Sequence, residues 1–217
     1  MLHQRYKNIA FWAISKATVP NYVARRSLAA MRRGGGPQHL HLGSGSKYIS
    51  GFVNVDGNPF NRLDVWLDVR NGLPFRTGSV DSIYSTHVFE HFYGDELKKL
   101  LQECYRVLRP GAGVRLVVPS LANAIAAYSQ KRADWFSGFP RKFDSLGGRF
   151  SNFVFCDGQH RTAFDLSYMS EVLRSAGFSE VEESGEGKSR LYGDRVPPYE
   201  PGDSQELPHS LYVEAFK

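Results

Sequence analysis

Two histidines and a glutamate stand close together in the segment His87-Val88-Phe89-Glu90-His91. Imidazole titrates near neutral pH, so His87 or His91 can act as a general base toward a hydroxyl group, with Glu90 as a further candidate. The same pattern also occurs in zinc metallohydrolases, in which a helix places both imidazoles on one face. Such a site needs a third ligand from a later helix, for which Glu171 is the expected residue.

A glycine turn lies upstream, in the stretch HLHLGSGSKYISGFVNVD from His39 to Asp56. The short apolar run that ends at Gly43 is typical of a buried parallel strand, and a Gly-x-Gly turn lets a ligand approach the backbone closely. A second strand follows and ends in the carboxylate of Asp56. Ligands of open α/β sheets bind outside the carboxyl ends of strands, where an acid can accept both hydroxyls of a ribose. The pattern indicates a site for a nucleoside cofactor.

The spacing excludes the usual dinucleotide fingerprint. That fingerprint requires a third glycine at position 48 and an acid about 20 residues further on. Position 48 is Tyr48, and Asp56 comes too early. An adenosine ligand without a pyrophosphate fits the turn better.

With these motifs the chain resembles the class I S-adenosylmethionine (SAM) dependent methyltransferases, and within them a group of small bacterial methyltransferases associated with glycan assembly. The resemblance covers residues 38–120 well and residues 158–181 more loosely. The segments that carry it, in chain order, are Gly43-Ser44-Gly45, Asp56, Leu67-Asp68-Val69, Leu73-Pro74-Phe75, Ser79–Tyr84, His87–His91, Tyr105–Gly113 and Val114–Pro119.

The resemblance implies SAM as the cofactor, with Asp56 on the ribose and the segment around Asp68 beside the adenine. It also implies no metal ligands, because the same letters as in His87–His91 occur at this point of the family. The residues implied for the cofactor site are Leu42, Gly43, Ser44, Gly45, Asp56, Asp68, Val69, Ser85 and His87.

Methyl transfer from a sulfonium requires mainly alignment of donor and acceptor, and a hydroxyl acceptor also benefits from a base. His91, His87 and Glu90 are the candidates for that base. His160 joins them as a catalytic candidate, because the resemblance places a similar His-Arg pair before the sixth helix of the family, where it could face the acceptor.

The predicted acceptor is a small molecule or a saccharide. Residues 132–165 form an insertion rich in aromatic and cationic side chains, which suits a lid over a polar acceptor. Trp135, Arg141 and Arg161 are its predicted substrate contacts, with packing into a satellite core as the alternative for the aromatic residues. A nucleic-acid base is disfavoured, because Ser85-Thr86-His87 replaces the acidic or Asn, proline and aromatic residues of nucleic-acid methyltransferases. A non-catalytic SAM-binding or scaffolding protein of the same fold is the competing class.

The predicted fold is one doubly wound, mainly parallel α/β domain over residues 37–217, with a C-terminal antiparallel strand. Apolar runs predict strands, including a third strand at 64–69, and a hairpin of the last two strands at the sheet edge. Helical spacing predicts helices at 4–17, 22–33, 95–107, 121–131 and 168–176, the first two separated by Pro20 and the last capped by Ser167.

Residues 1–36 are predicted to be a basic helical extension. The formal net charge of the chain is +5, and these residues contain no acid, so this extension carries the excess of basic residues. Packing on the domain, peripheral binding to an anionic membrane and a nucleic-acid-binding arm are its alternative roles. The basic residues concerned are Arg5, Lys7, Lys16, Arg25, Arg26, Arg32 and Arg33.

The two cysteines, Cys104 and Cys156, have no paired spacing. Neither a disulfide framework nor a cysteine metal site is therefore expected, and a reducing cytoplasm is the predicted compartment. The sequence has neither a run long enough to span a bilayer nor a signal-peptide pattern, so it is not expected to cross a membrane by itself. Contact with the inner face of a membrane through the basic residues 1–36 is a further expectation.

Overall fold

The computed structural model describes residues 4–31, 38–197 and 206–217. The strands are β1 (His39–Leu42), β2 (Phe52–Asp56), β3 (Val65–Trp66), β4 (Val80–Thr86), β5 (Leu108–Pro119), β6 (Glu180–Glu183) and β7 (Ser210–Phe216). The α-helices are α1 (Gln4–Met31), α2 (Gly94–Val107), α3 (Leu121–Ser129), α4 (Leu146–Phe155) and α5 (Leu166–Ser175).

The strands form one seven-stranded sheet in the order β3-β2-β1-β4-β5-β7-β6. Strands β1 to β5 pair in parallel, and β7 runs antiparallel to both β5 and β6. This arrangement confirms the predicted fold, including the terminal hairpin. The strand order reverses between β1 and β4, so a crevice for ligands is expected at their carboxyl ends. Gly43 follows β1 and His87 follows β4, which places both sequence motifs at this crevice.

The main core lies between the sheet and helices α2 and α5. Helix α2 buries Leu97, Leu100, Leu101 and Cys104, which recur at helical spacing as the sequence predicts. Strand β5 buries a continuous run from Ala112 to Val118, as expected for a strand that is covered on both faces. The centre of the sheet is therefore a rigid base for the crevice at the carboxyl ends of β1 and β4.

A short connection without a helix joins β1 to β2, and Asn54 of β2 holds it in place. The Asn54 side chain accepts from the Ile49 N–H at 2.9 Å and donates to the Ile49 carbonyl at 2.9 Å. It also contacts His41 of β1 and the Asp64 carboxylate. Because His41 is fully buried, desolvation lowers its pKa, an effect that its contact with Asn54 opposes. The Asn54 side chain thus fixes this connection with hydrogen bonds that the backbone of a helix would otherwise supply.

The two helices expected before residue 34 are a single helix, α1, with Pro20 inside it. A proline in a helix removes one backbone hydrogen bond and costs about 3 kcal/mol, so a break was the expected outcome. Contacts with the domain fix the helix on both sides of the proline: Thr18 accepts from the Asp68 N–H, and Asn21 donates to the Trp66 carbonyl. The part of α1 around Pro20 therefore packs on the edge of the sheet.

The opposite face of α1 exposes apolar side chains, among them Trp12 at 63% and Ile9 at 55% exposure. Of the arginines expected to form a basic face, Arg25 binds the Asp64 carbonyl at 3.1 Å. The side chain of Arg26 and residues 32–37 lie outside the described part of the chain. Membrane binding through residues 1–36 stays a prediction.

The insertion at residues 132–165 contains a regular helix, α4, where the sequence pattern was expected to fade. Ser145 caps this helix by accepting from the Gly148 N–H. The helix packs with α3 through a small second core that includes Ala124, Ala127, Trp135 and Phe136. Glycines at 147 and 148 weaken the helical signal in the sequence, and packing against α3 outweighs that low propensity.

Two further boundaries differ from the expectations. Helix α5 begins at Leu166, because Asp165, and not Ser167, accepts the capping hydrogen bond from the Tyr168 N–H. The third strand, expected at 64–69, is limited to Val65–Trp66, because Asp68 turns the chain into a short 3-10 helix at Val69–Asn71.

Candidate active site

The glycine turn after β1 is folded back over the end of β2. The N–H groups of Gly43 and Ser44 both donate to the Val55 carbonyl, at 2.8 and 3.1 Å. Gly43 has a φ of +65°, and a Cβ atom there would lie 2.2 Å from Cγ2 of Val88. Gly45 has a φ of +52° and open space around it. Both glycines are thus required by the backbone, and Gly45 leaves room for a ligand.

Asp56 is held rigidly at the end of β2. One carboxylate oxygen accepts from the Gly45 N–H at 2.8 Å and the other from the Asn58 N–H at 2.7 Å. The side chain is half-buried, so its remaining lone pairs are accessible to hydroxyl donors. This geometry fits the predicted ribose contact and links the acid directly to the glycine turn.

Three other predicted cofactor residues, Asp68, Val69 and Ser85, are more buried. Asp68 accepts from the Arg70 side chain at both carboxylate oxygens, and Val69 packs into the main core. Ser85 donates its hydroxyl to the Leu42 carbonyl at 3.0 Å, which joins β4 to β1. Asp68 thus has a guanidinium partner in this structure, and its adenine contact stays a prediction.

His87 and Glu90 form a pair at the carboxyl end of β4. His87 has a φ of +53°, an unusual conformation for a residue with a side chain that costs about 1–2 kcal/mol. Its Nδ1 atom lies 3.3 Å from Oε1 of Glu90, and the side chains are 41% and 1% exposed. The strained backbone therefore directs an accessible imidazole toward a buried carboxylate.

His91 and His160 lie beside this pair. Glu90 and His91 belong to a 3-10 helix, and His160 comes from the end of the insertion, whose Arg161 and Thr162 N–H groups both donate to the Glu90 carbonyl. The two imidazole rings are 5.3 Å apart, centre to centre. The structure thus brings together all four predicted catalytic residues.

Burial and charge have opposite effects on this cluster. Burial lowers the pKa of His160 below its usual value of 6.5, and the nearby Glu90 charge only partly offsets that effect. Burial alone would raise the pKa of Glu90, but the imidazoles of His87 and His91 outweigh it, so its pKa lies below the usual 4.5. At neutral pH the His160 imidazole is therefore neutral, and the nearby Glu90 carboxylate is ionised.

The predicted substrate contacts are divided between the surface and the core. The guanidinium of Arg161 lies 5.2 Å from the centre of the exposed Tyr93 ring, beside the histidines. Arg141 is exposed and forms an ion pair with Asp157 at 3.0 Å. Trp135 is only 2% exposed, and its indole N–H donates to the Leu207 carbonyl at 2.7 Å. This burial corrects the placement of Trp135, which packs in the second core and presents no open ring to a substrate.

The structure adds Thr86 and Val88 to the site, two residues that the sequence did not indicate. Thr86, the last residue of β4, has a buried hydroxyl without a hydrogen-bond partner among the described residues, and so does Ser44. Val88 packs against the glycine turn. The unpartnered hydroxyls of Ser44 and Thr86 lie at the ends of the neighbouring strands β1 and β4. They fit a polar ligand in the crevice, such as an adenosine cofactor. The position of Thr86 directly before His87 is the signal that would have identified it.

Comparisons with known proteins bear on the family and the fold. The family model described as "Methyltransferase domain" matches residues 58–116. No curated protein matches the chain. The match to the methyltransferase family supports a transferase and supports S-adenosylmethionine as the cofactor.

Solved structures share the fold at low identity. A SAM-dependent methyltransferase from Thermotoga maritima, a possible histamine N-methyltransferase, is 15% identical with a TM-score of 0.50, covering 95% of this chain and 99% of its own. A SAM-dependent methyltransferase from Mesorhizobium loti is 17% identical with a TM-score of 0.50, covering 88% of this chain and 96% of its own. The chain has the Rossmann-like fold of SAM-dependent methyltransferases.

In the part of the chain that the structure describes, no helix is both long and apolar enough to cross a bilayer.

Proposed function

We propose that this protein is a SAM-dependent methyltransferase that O-methylates a small molecule or a saccharide. The observation that carries the proposal is the set of unpartnered polar groups at the switch point of the sheet. Ser44 Oγ follows β1 and Thr86 Oγ1 ends β4, both buried and without hydrogen-bond partners among the described residues. The buried carboxylate of Glu90 follows β4, with Nδ1 of His87 at 3.3 Å from one of its oxygens. Buried polar groups are normally satisfied, so these atoms indicate a bound ligand.

The cofactor half of the site consists of the glycine turn, Asp56 and the two hydroxyls. Asp56 would accept the ribose hydroxyls, while Ser44 and Gly45 would contact the cofactor where the backbone leaves space. Bound SAM supplies a methyl group on a sulfonium, which needs no further activation by the protein. The task left to the side chains is to align an acceptor and to manage its proton.

The acceptor half consists of the histidine cluster. A hydroxyl is a weak nucleophile until its proton is removed, and His87 is an exposed base that lies directly beside the Glu90 carboxylate. We assign the general-base role to His87, with Glu90 as the residue that positions it and stabilises the imidazolium. A positioned base favours hydroxyl acceptors, because a hydroxyl needs deprotonation to become a good nucleophile. A neutral amine attacks without losing a proton first.

Side chains around the cluster support a polar, ring-bearing acceptor. Tyr93 and Arg161 lie together at the surface near Glu90, and Phe155 of α4 is 58% exposed. Aromatic faces bind the apolar faces of sugar rings, and a guanidinium binds hydroxyl or anionic groups. A saccharide is therefore the preferred acceptor class, and glycan assembly is the process it would serve.

Methyl transfer from labelled SAM tests this function. The full-length protein is incubated with SAM that carries a labelled methyl group and with separate pools of saccharides and amines. We expect label in the saccharide pool as an ether that survives alkaline treatment. Label that appears only on amines would contradict O-methylation. Cofactor binding without label in either pool would favour the non-catalytic alternative.

A further inference from the structure

Glu90, His91 and His160 together form a candidate metal site. One potential ligand atom from each residue lies within 4.8 Å of the other two. We propose that these three side chains bind a divalent transition-metal ion of the zinc type. Two imidazoles and one carboxylate with an open fourth position are a ligand set of catalytic zinc sites. The proposal departs from the sequence-based expectation of no metal, and its ligand set differs from the zinc pattern in the sequence: Glu90 and His160 take the places of His87 and Glu171.

The hydrogen bonds of both histidines prepare them as ligands. Nδ1 of His91 lies 3.1 Å from the Gln159 carbonyl, and Nδ1 of His160 lies 3.0 Å from the Val154 carbonyl. A carbonyl oxygen only accepts, so Nδ1 carries the hydrogen in each ring and Nε2 keeps its lone pair. Histidines that bind metals are commonly oriented in this way by a carbonyl or carboxylate.

Glu90 supplies the negative charge of the site. Its side chain is 1% exposed, and neither carboxylate oxygen has a hydrogen-bond partner among the described residues. A buried carboxylate without such partners is unfavourable unless a cation compensates it. His87 lies 3.3 Å from Oε1, so the second carboxylate oxygen is available to a metal ion.

The backbone holds the ligands in place before any ion arrives. The Glu90 carbonyl accepts from the N–H groups of Arg161 and Thr162 at 2.7 and 3.1 Å. These bonds attach the chain beside His160 to the short helix that contains Glu90 and His91. Ligands from two distant parts of the sequence are therefore fixed relative to each other, as a selective metal site requires.

The donor atoms indicate which ion is expected. Mg²⁺ and Ca²⁺ prefer sites made of oxygen atoms, whereas imidazole nitrogen favours zinc and its transition-metal neighbours. The role of the ion, unlike its binding, rests on the proposed function. An acceptor hydroxyl at the open position would lose its proton to His87 more readily, because a metal ion lowers the pKa of a bound oxygen.

Metal binding by the untagged full-length protein tests the proposal directly. After treatment with a chelator, the protein is titrated with Zn²⁺ by calorimetry and with Co²⁺ by visible absorption. We expect one ion per chain and the d–d bands of Co²⁺ bound by nitrogen and oxygen. Because one of three ligands is lost, His160→Ala and His91→Ala should each weaken Zn²⁺ binding by more than about 100-fold.

A matched control and a second readout make the result decisive. His39 is another partly buried histidine, at the opposite end of β1, and His39→Ala should bind Zn²⁺ like the wild type. S-adenosylhomocysteine binding by the same samples reports folding, with Glu90→Gln as a same-shape variant if an alanine variant fails to fold. Wild-type protein without bound metal, or equal Zn²⁺ affinity in His160→Ala or Glu90→Gln, overturns the metal site. Metal binding without cofactor binding contradicts only the proposed function.

Discussion

Replacing His87 with alanine is expected to slow methyl transfer by about 100-fold to 10,000-fold, the usual contribution of a general base. The imidazole is accessible, lies 3.3 Å from a buried carboxylate, and follows a strand end at the crevice. The measurement is kcat with saturating SAM and the acceptor that the labelling experiment identifies. Cofactor affinity should change little, because the loss concerns the proton of the acceptor.

Two controls separate this chemical role from a structural one. His39→Ala removes a histidine at the amino end of β1, away from the crevice, and the variant should keep the wild-type activity. Added imidazole should partly restore His87→Ala, since a free base can enter the space left by the side chain. Activity within about 10-fold of the wild type would assign the base to another residue of the cluster.

Replacing Glu214 with alanine is expected to lower the free energy of unfolding by about 3–5 kcal/mol, the cost of breaking a buried ion pair. Glu214 on β7 and Arg115 on β5 are both fully buried, 2.9 Å apart. Glu214 also accepts from the N–H groups of Arg190 and Leu191 at 2.8 and 3.0 Å. The variant would leave a guanidinium and two backbone donors without this partner.

Urea unfolding measures this effect. Glu183→Ala on the neighbouring strand removes an exposed acid and should change stability by less than about 0.5 kcal/mol. Replacing both members of the pair with apolar residues, as in Arg115→Met with Glu214→Leu, should cost less than Glu214→Ala alone. A loss below about 1 kcal/mol in Glu214→Ala would show that the pair is not a main support of the sheet.

The sequence predicted the parts of the fold that depend on regular periodicity. Leu97, Leu100 and Leu101 define the apolar face of α2, and the apolar run in β5 marks a strand covered on both sides. Contacts between distant residues were not predictable in this way. The continuity of α1 across Pro20 depends on the contacts of Thr18 with Asp68 and of Asn21 with Trp66 of β3, and α4 depends on packing against α3.

The candidate site shows the same division. Gly43 and His87 directly follow strands and Asp56 ends one, so their types and positions indicated a site. The approach of His160 to His91 depends on hydrogen bonds between the insertion and the Glu90 carbonyl. Trp135 shows the reverse case, since an aromatic residue in a segment without a regular pattern gives the same sequence signal whether it lies in a lid or in a core.

Calorimetry with S-adenosylhomocysteine tests the central claim, that the turn after β1 and the acid at the end of β2 form a SAM site. We expect the wild type to bind one molecule per chain. Asp56→Ala should bind about 100-fold more weakly, because hydrogen bonds to a charged group contribute about 1.5–3 kcal/mol. The exposed Asp144 serves as the matched control, and Asp144→Ala should bind like the wild type. Wild-type protein that binds neither SAM nor S-adenosylhomocysteine would contradict the account.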